Sequence, residues 1–306
     1  MEAIGNIVSL LFFPGGLFVI FAGLIYEWLD RKIIARSQNR MGPRWFQPLA
    51  DAVKLLAKEE IIPDGVNHIL FAGLPLVALA GALTAALYVP MAGLQPAYSF
   101  PGDLIVAVYM LSLMTLCIGL AGANAKERFS LVGSTRALTQ LFAYEAPFLL
   151  ALLGPAVAAQ SWQISEIIAY TESHTWLMIL QPVGFVVALI GLMGKLELPP
   201  FDSPEAETEI VAGALTEYSG RGLAIFHLGK GAELIIGLTL ITAFYLGGVS
   251  NPLWFVVKTV GLLVVLATIQ SVMTRLRIDQ TVGLWWRYGA LLVLLQWLVI
   301  MVLKLI

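Results

Sequence analysis

Six carboxylates crowd into one short stretch of this 306-residue sequence, and such crowding suits proton transfer. Like charges held close together raise some carboxyl pKa values, particularly where water is partly excluded. A carboxyl whose pKa approaches neutrality is well suited to accept and release protons. The residue pattern favours this chemistry, and the alternative is a solvated loop whose acids stabilise a helix N-terminus. The six are Glu197, Asp202, Glu205, Glu207, Glu209 and Glu217.

Two further acids, Glu145 and Glu233, lie within apolar runs. An acid inside a membrane span costs ~2.5 kcal/mol or more and usually marks an ion or proton path. Glu145 sits well inside its run, which favours such a role. Glu233 follows Lys230 by one helical turn, so a local ion pair between the two is the alternative for this residue.

The local sequence predicts how the acidic loop is built. Pro199-Pro200 ends the preceding apolar run. Ser203 is a good N-cap and Pro204 a good first helical residue, so we expect a short helix to begin here. Glu205 and Glu209, four residues apart, would share one face of that helix, and Gly220 would let the chain turn back toward the membrane.

The elements that position these acids are predicted to be membrane-spanning helices. Hydrophobic residues make up 59% of the chain and charged residues only 12%, about half of the share in a soluble domain. The runs are continuously apolar, which favours helices over a β-barrel. We expect an all-α integral membrane protein, a single domain over 1–306 with about eight spans. These lie near 6–28, 69–91, 104–122, 136–159, 177–196, 225–247, 252–273 and 285–305.

The basic residues predict the orientation of the spans. All Lys and Arg except Lys258 and Lys304 lie in or beside alternate connections: seven are in the loop 29–68, and three are in or beside each of the other three, which include the loop 197–224. The other connections, near 92–103, 160–176 and 248–251, contain none. By the positive-inside rule the basic loops are cytoplasmic and both termini lie outside.

An amphipathic helix is predicted within residues 45–60 of the first cytoplasmic loop. Trp45, Leu49, Val53 and Leu56 recur at three- and four-residue spacing and form an apolar stripe. The stripe could lie on the membrane surface or against a partner, or it could pack on the protein itself.

Composition also limits the chemistry of the chain. The net charge of −2 gives no basis for a nucleic-acid partner. One cysteine and three widely separated histidines show no metal or cluster spacing, so we expect no metal, no cofactor and no catalytic centre in this chain. Any redox cofactor would belong to a neighbouring chain.

Three ordered motifs resemble one family. They are NRMGPRWFQPLADAVKLLAKE, GSTRALTQLFAYEAP and LPPFDSPEAETEIVAGALTEYSG. Together they resemble the H subunit of respiratory complex I, the membrane protein that joins the peripheral arm to the membrane arm. Proteins of the same type occur in energy-converting hydrogenases, formate hydrogenlyase and related sulfur reductases. The resemblance runs in order through most of the chain, and about eight spans is the usual core of that family.

The resemblance implies roles for the charged residues. All eight acids named above match a carboxylate path from the redox arm toward antiporter-like membrane subunits. It further implies a prokaryotic cell membrane, cytoplasmic iron–sulfur and hydrogenase-like partner subunits, and iron–sulfur clusters and possibly nickel–iron in those partners. Basic residues that match the surface contacting the redox arm are Arg31, Arg36, Arg40, Arg44 and Arg221.

Two departures from the quinone-reducing members favour the hydrogenase or sulfur-reductase branch. Only three residues separate Gly42-Pro43 from Gln47-Pro48, and the acidic loop runs from Glu209 to Gly220 without an insertion. We therefore expect a membrane anchor and coupling subunit of an ion-translocating oxidoreductase. The alternatives are a quinone-site subunit of NADH–quinone oxidoreductase and a stand-alone ion transporter, which the lack of an internal repeat disfavours.

Overall fold

The computed structural model describes residue 12 and residues 15–174, 177–249 and 251–302, and in these ranges the chain forms helices and no β-strand. This confirms the predicted all-α class. The helices are α1 (Gly16–Ser37), α2 (Gln47–Ala57), α3 (His68–Ala86), α4 (Asp103–Asn124), α5 (Arg128–Ala159), α6 (Ile164–Ser173), α7 (Leu177–Leu180), α8 (Pro182–Lys195), α9 (Glu207–Ile210), α10 (Gly220–Tyr245), α11 (Pro252–Val272) and α12 (Ile278–Val302, with a π-helical stretch at Trp285–Gly289).

Six of the described helices are long and apolar enough to cross a bilayer: α3, α4, α5, α10, α11 and α12. Each coincides with one of the eight predicted spans. The predicted span 6–28 lies partly outside the described residues, and its described part belongs to α1, which continues to Ser37. The predicted span 177–196 is divided at Gln181 into α7 and α8. Pro182 begins α8, where its missing N–H would have no helical partner in any case.

Helix α10 is the centre of the bundle, and most of its residues are buried. It packs against α1, α3 and α2, and α11 packs on both α1 and α10. The contact between α1 and α10 is close at Gly23, where a Cβ atom would lie 2.6 Å from the carbonyl group of Gly231. A larger residue at this point would therefore separate the two helices and widen the region that holds the charged residues of α10.

The acidic loop differs from its predicted local structure. A single 3₁₀ turn occupies Ser203–Glu205, and Asp202, rather than Ser203, is its N-cap residue. The α-helical turn α9 begins only at Glu207, so the expected short helix is interrupted at Ala206. The N-cap prediction was wrong because the turn begins one residue earlier than expected, so Ser203 is itself a buried residue of the turn. The carbonyl of Ser203 accepts a hydrogen bond from Arg136 Nη1 at 3.3 Å.

The predicted amphipathic helix is present as α2, and it lies against α10 and α1. Its buried side is formed around Pro48. The apolar stripe faces away from the protein: Trp45, Leu49, Val53 and Leu56 are exposed by 72%, 40%, 56% and 44%. The helix thus packs on its own protein, as the third alternative expected, but through a side other than the apolar stripe, and the exposed stripe fits contact with the membrane or a partner.

Candidate functional site

Two lysines and two glutamates form a buried cluster where the end of α8 meets α10. We call Lys195, Glu197, Lys230 and Glu233 the interior cluster. Lys195 Nζ lies 3.4 Å from Glu233 Oε1, and Lys230 Nζ donates a 2.7 Å hydrogen bond to Glu197 Oε2. Three of the four residues are at least 96% buried, and the Lys230 side chain is 18% exposed. Each charge is therefore held in place by an opposite charge from another part of the chain.

The pairing within this cluster crosses between helices. The sequence left open a local pair between Glu233 and Lys230, three residues apart on α10, but Glu233 pairs with Lys195 instead. Lys230 points the other way, to Glu197 and also to Glu205 of the acidic loop at 2.5 Å. The local-pair interpretation was wrong because tertiary packing places better acceptors on the loop side of Lys230.

A second group of charges lies on the surface of the acidic loop. We call Arg136, Asp202, Glu209 and Arg275 the surface cluster. Arg275 makes two hydrogen bonds to the carboxylate of Asp202, at 3.0 and 2.8 Å, and lies 3.7 Å from Glu209 Oε1. Arg136 of α5 donates a 2.8 Å hydrogen bond to Glu209 Oε2. Two cations from outside the loop thus fix two of its predicted acids.

Hydrogen bonds from neighbouring segments also fix the backbone of the acidic loop. The buried Gln140 amide donates to Gly194 O at 2.9 Å and to Phe201 O at 2.8 Å, which ties both ends of the turn to α5. Leu276 N donates to Pro200 O at 2.9 Å. At Gly133 of α5, a Cβ atom would lie 2.3 Å from a loop amide nitrogen, so only glycine allows this approach.

The electrostatic environment differs along the loop. Burial raises the pKa of the Glu197 carboxyl, and the Lys230 ammonium opposes that shift. The hydrogen bond from Arg136 lowers the pKa of exposed Glu209. The hydrogen bond to Asp202 raises the pKa of Arg275, which keeps this guanidinium charged. The pKa values of Glu209 and Glu197 are therefore shifted in opposite directions, with exposed Glu209 held as a carboxylate and buried Glu197 biased toward taking up a proton.

A cavity of about 430 Å³ joins the acidic loop to α1 and α10. Ten of the residues around it are ionisable, so charged groups surround much of this space. Those residues are Glu27, Asp30, Arg31, Glu197, Asp202, Glu205, Glu207, His227, Lys230 and Arg275. The cavity therefore connects the two clusters with the charged end of α1.

Glu145 lies on α5 and is half-buried. Its neighbour Tyr144 is fully buried, donates or accepts a 3.2 Å hydrogen bond with Thr115, and lies within electrostatic reach of Glu145, Glu197 and Glu233. Glu145 is thus not part of the interior cluster, but it adjoins a buried tyrosine that lies within electrostatic reach of that cluster.

The remaining predicted acids are less central. Glu207 is exposed and lies at the rim of the cavity, near Arg275. Glu217 is half-buried and is not among the described residues that line the cavity. Its neighbour Tyr218 stacks on Phe71 of α3, so this part of the loop faces away from the interior cluster.

The predicted interface arginines fall into two groups. Arg31 pairs with Glu27 and, at 3.7 Å, with Asp51, and it lines the cavity. The others are exposed and form no ion pair with a described residue, so their charge is directed outward: Arg36, Arg40, Arg44 and Arg221.

Sequence reasoning missed the cations that organise the site. By sequence, Lys195 is only a flanking charge, Lys230 only a local partner for Glu233, and Arg136 and Arg275 only signals of orientation. One feature could have revealed Lys195: a lysine at the end of an apolar run, next to an acid, is costly unless it is paired. The partners of Arg136 and Arg275, 67 to 73 residues away, carry no local signal.

Comparison with known proteins agrees with this architecture. A family model described as NADH dehydrogenase matches residues 9–302. The H subunit of NADH-quinone oxidoreductase from Dehalococcoides mccartyi (strain CBDB1) is 33% identical over 282 residues, covering 89% of this chain and 79% of that protein. An H subunit of the same enzyme from Geobacter sulfurreducens is 33% identical over 315 residues, covering 96% of this chain and 94% of that protein.

A solved structure shares the fold. A chain of the membrane-bound sulfane sulfur reductase, an archaeal respiratory membrane complex, matches with a TM-score of 0.85 at 20% identity. The match covers 97% of this chain and 98% of that chain. The resemblance carried by the three motifs is therefore confirmed at the level of the family, and the chain belongs to the H-subunit family of complex I, whose model is described as NADH dehydrogenase.

Proposed function

We propose that this chain is the membrane anchor and coupling subunit of an ion-translocating oxidoreductase related to complex I, of the hydrogenase or sulfur-reductase type. One observation carries the proposal: acids and lysines alternate from the exposed loop into the bundle. Glu205 contacts Lys230, Lys230 contacts Glu197, and Lys195 contacts the fully buried Glu233. Glu197 and Lys195 lie within electrostatic reach of each other and bring the two sets of contacts together. Such a row of charged groups in an apolar domain is costly and is retained where ions or protons must pass.

In this proposal the outer end of the row senses a redox event and the inner end delivers its effect. A change of charge near the acidic loop would alter the field at Lys230 and Glu197. Tyr144 then links the interior cluster to Glu145 on α5. Antiporter-like subunits in the same membrane would receive the change there. The mechanism is electrostatic coupling between sites, so it requires a group with two arrangements.

The docking side for the redox arm would be the basic loop that contains α2. Exposed arginines such as Arg36 and Arg44 form no ion pair with a described residue, and their guanidinium groups suit carboxylates of a protein partner. The partners proposed are cytoplasmic iron–sulfur and hydrogenase-like subunits. Those subunits would carry the iron–sulfur clusters and any nickel–iron centre, and the loops 29–68 and 197–224 of this chain would hold them against a prokaryotic cell membrane.

The charged cavity supports the branch without a quinone. A quinone headgroup with an apolar tail gains little from a space lined by Asp30, Glu205, Lys230 and similar groups. A quinone-site subunit remains the second candidate, because the curated relatives are named as H subunits of NADH-quinone oxidoreductase. A stand-alone transporter is the third.

Purification from the native membrane in mild detergent, with mass spectrometry and metal analysis, distinguishes these candidates. We expect an iron–sulfur or nickel–iron arm and antiporter-like subunits to co-purify, without bound quinone. A flavin-containing arm with quinone-dependent activity that quinone-site inhibitors block would establish the second candidate. A chain that purifies alone and transports ions in liposomes would establish the third.

The coupling role itself is tested by Glu145→Gln in the purified complex reconstituted into liposomes. We expect loss of ion transport per electron while the complex still assembles. Glu166→Gln is the matched control, since Glu166 is exposed and hydrogen-bonds only locally to Ser161. Wild-type coupling in the Glu145 variant would remove this residue from the path.

A further inference from the structure

The charges of the interior cluster are shared unequally between their partners. Lys230 contacts two carboxylates, Glu197 at 2.7 Å and Glu205 at 2.5 Å. Glu233, by contrast, has only the 3.4 Å ion pair with Lys195, and its Oε1 atom accepts no hydrogen bond from the described residues although it is buried. A buried carboxylate oxygen without a donor is unfavourable. Lys230 therefore neutralises two acids, while the neighbouring Glu233 has one ion pair and an oxygen without a donor.

A second pairing is available to the same four residues. Lys230 and Glu233 are three apart on α10, a spacing at which side chains meet on a helix surface. Each glutamate already lies within electrostatic reach of both lysines. Glu197 also keeps one buried oxygen, Oε1, without a described donor, so it has acceptor capacity for Lys195.

Lys195 is suited to hold its place during such an exchange. Its ammonium donates a 2.8 Å hydrogen bond to the carbonyl of Leu111 on α4, which anchors it between Glu197 and Glu233. Lys230 has no comparable backbone anchor among its described contacts, which are the two carboxylates. The mobile cation of the pair is therefore Lys230.

Resting on the proposed function, we propose that Lys230 exchanges partners, from Glu197 and Glu205 in the arrangement seen here to Glu233 in a second one, while Lys195 neutralises Glu197. Glu205 controls the choice. It lies on the 3₁₀ turn of the acidic loop with its side chain 38% exposed, where a change in the redox arm can reach it. When Glu205 loses its charge or moves away, Lys230 loses one of its two carboxylates, and Glu233, one turn along α10 with a buried oxygen that has no described donor, then competes with Glu197 for it.

The exchange supplies the two-state element that coupling requires. Gln140, Arg136 and Arg275 anchor the acidic loop, so a movement of the whole loop about Pro199-Pro200 and Gly220 would have to break several contacts. The exchange breaks the ion pairs of Lys230 with Glu197 and Glu205 and forms one with Glu233. At the same time Lys195 moves from Glu233 to Glu197. Lys195 and Lys230 are thus positioning residues: they set which carboxylate is neutralised and leave the others free to take up a proton.

Glu205→Gln in the complete complex tests the exchange directly. The variant keeps the shape of the side chain and removes the charge that holds Lys230. Electron cryomicroscopy of the variant should show Lys230 Nζ at ion-pair distance from Glu233 and Lys195 Nζ at ion-pair distance from Glu197. Glu59 is an exposed acid on the neighbouring loop, so the control variant Glu59→Gln should keep Lys230 paired with Glu197 and Lys195 paired with Glu233. If the Glu205 variant keeps Lys230 paired with Glu197 and Lys195 paired with Glu233, as in the wild type, the proposal is overturned.

A second variant tests whether the exchange matters for transport. Lys230→Met/Glu197→Gln removes the lysine together with its buried acid, so Lys195 and Glu233 remain paired, the partly exposed Glu205 stays in contact with water, and assembly should persist. We expect redox turnover without ion transport in liposomes. If this double variant transports ions at the wild-type ratio while Glu145→Gln does not, the exchange is wrong and the proposed function stands. If the wild-type complex itself transports no ions, the proposed function fails.

Discussion

The interior cluster and the surface cluster contain the same charges in different surroundings. Each has two cations and two carboxylates that come from distant parts of the chain. The ion-paired side chains of Lys195 and Glu233 are 2% and 1% exposed, whereas those of the surface cluster are 19–51% exposed. Water and salt can replace a lost partner only in the surface cluster. The same pairing therefore has a different consequence: inside, it makes burial of charge possible, and outside, it positions a loop.

The largest effect is expected from Lys195→Met, because the change leaves Glu233 buried without its cation. Removing one partner of a buried ion pair costs about 3–5 kcal/mol. Thermal unfolding of the purified complex should show a much lower midpoint, or the complex should fail to assemble. Lys58→Met, which removes an exposed lysine at the end of α2, is the control and should have little effect.

The double variant Lys195→Met/Glu233→Gln sharpens this prediction. It removes both charges, so it should recover most of the stability that the Lys195 variant loses. If the two single effects simply add, the lysine and the glutamate are not coupled, and the interior cluster would be no different in kind from the surface cluster.

An intermediate effect is expected where the acidic loop touches α5. In Gly133→Ala, the added methyl group would meet the amide nitrogen of Ala214 at 2.3 Å and force the loop away, which costs about 1–3 kcal/mol. Limited proteolysis within 197–224 should become faster. Gly73→Ala is the control, because a Cβ atom there meets nothing within 4 Å. Equal protease resistance in both variants would show that the loop is not held by this contact.

A smaller effect is expected from Asp202→Asn, which weakens the two-bond contact with Arg275. The pair is partly exposed, so we expect a loss of about 1–2 kcal/mol at low salt. High salt should reduce the difference from the wild type, since exposed charges are screened. The loss in Lys195→Met should persist at the same salt concentration. Asp64→Asn, at an exposed acid without an ion pair to a described residue, is the control.

The smallest effect on stability is expected from Glu209→Gln, since this carboxylate is exposed. Arg136 lowers its pKa in the folded protein, so the stabilisation is complete above the ordinary glutamate pKa and is lost only as the pH falls through the lower folded value. The difference in unfolding midpoint between wild type and variant should thus be constant from neutral pH to about pH 5 and then shrink. A difference that changes near neutral pH would assign the titration to another group.

The sequence identified the acids of both clusters but not the cations that pair with them. Glu197 and Glu233 stand out because an acid in or beside an apolar run is unusual by composition alone. Asp202 and Glu209 stand out as part of a crowded loop. The lysines and arginines that pair with them do not, because a cation within an apolar chain is first of all an orientation signal. The short helix expected from Ser203 was also wrong, because the backbone leaves helical geometry at Ala206, where ψ is 84°.

Sequence alone determined the helical membrane class, the family and the identity of the acids. Apolar runs of this length can satisfy their backbone groups in lipid only as helices, so local composition was sufficient. Only the tertiary structure decided which charges meet. Ion pairs between distant parts of a chain leave no pattern in the sequence, because they form between whichever groups the packing of α5, α8 and α10 brings within a few ångströms. The close glycine contacts at Gly23 and Gly133 set that packing, and with it the pairing of Lys230 with the acidic loop.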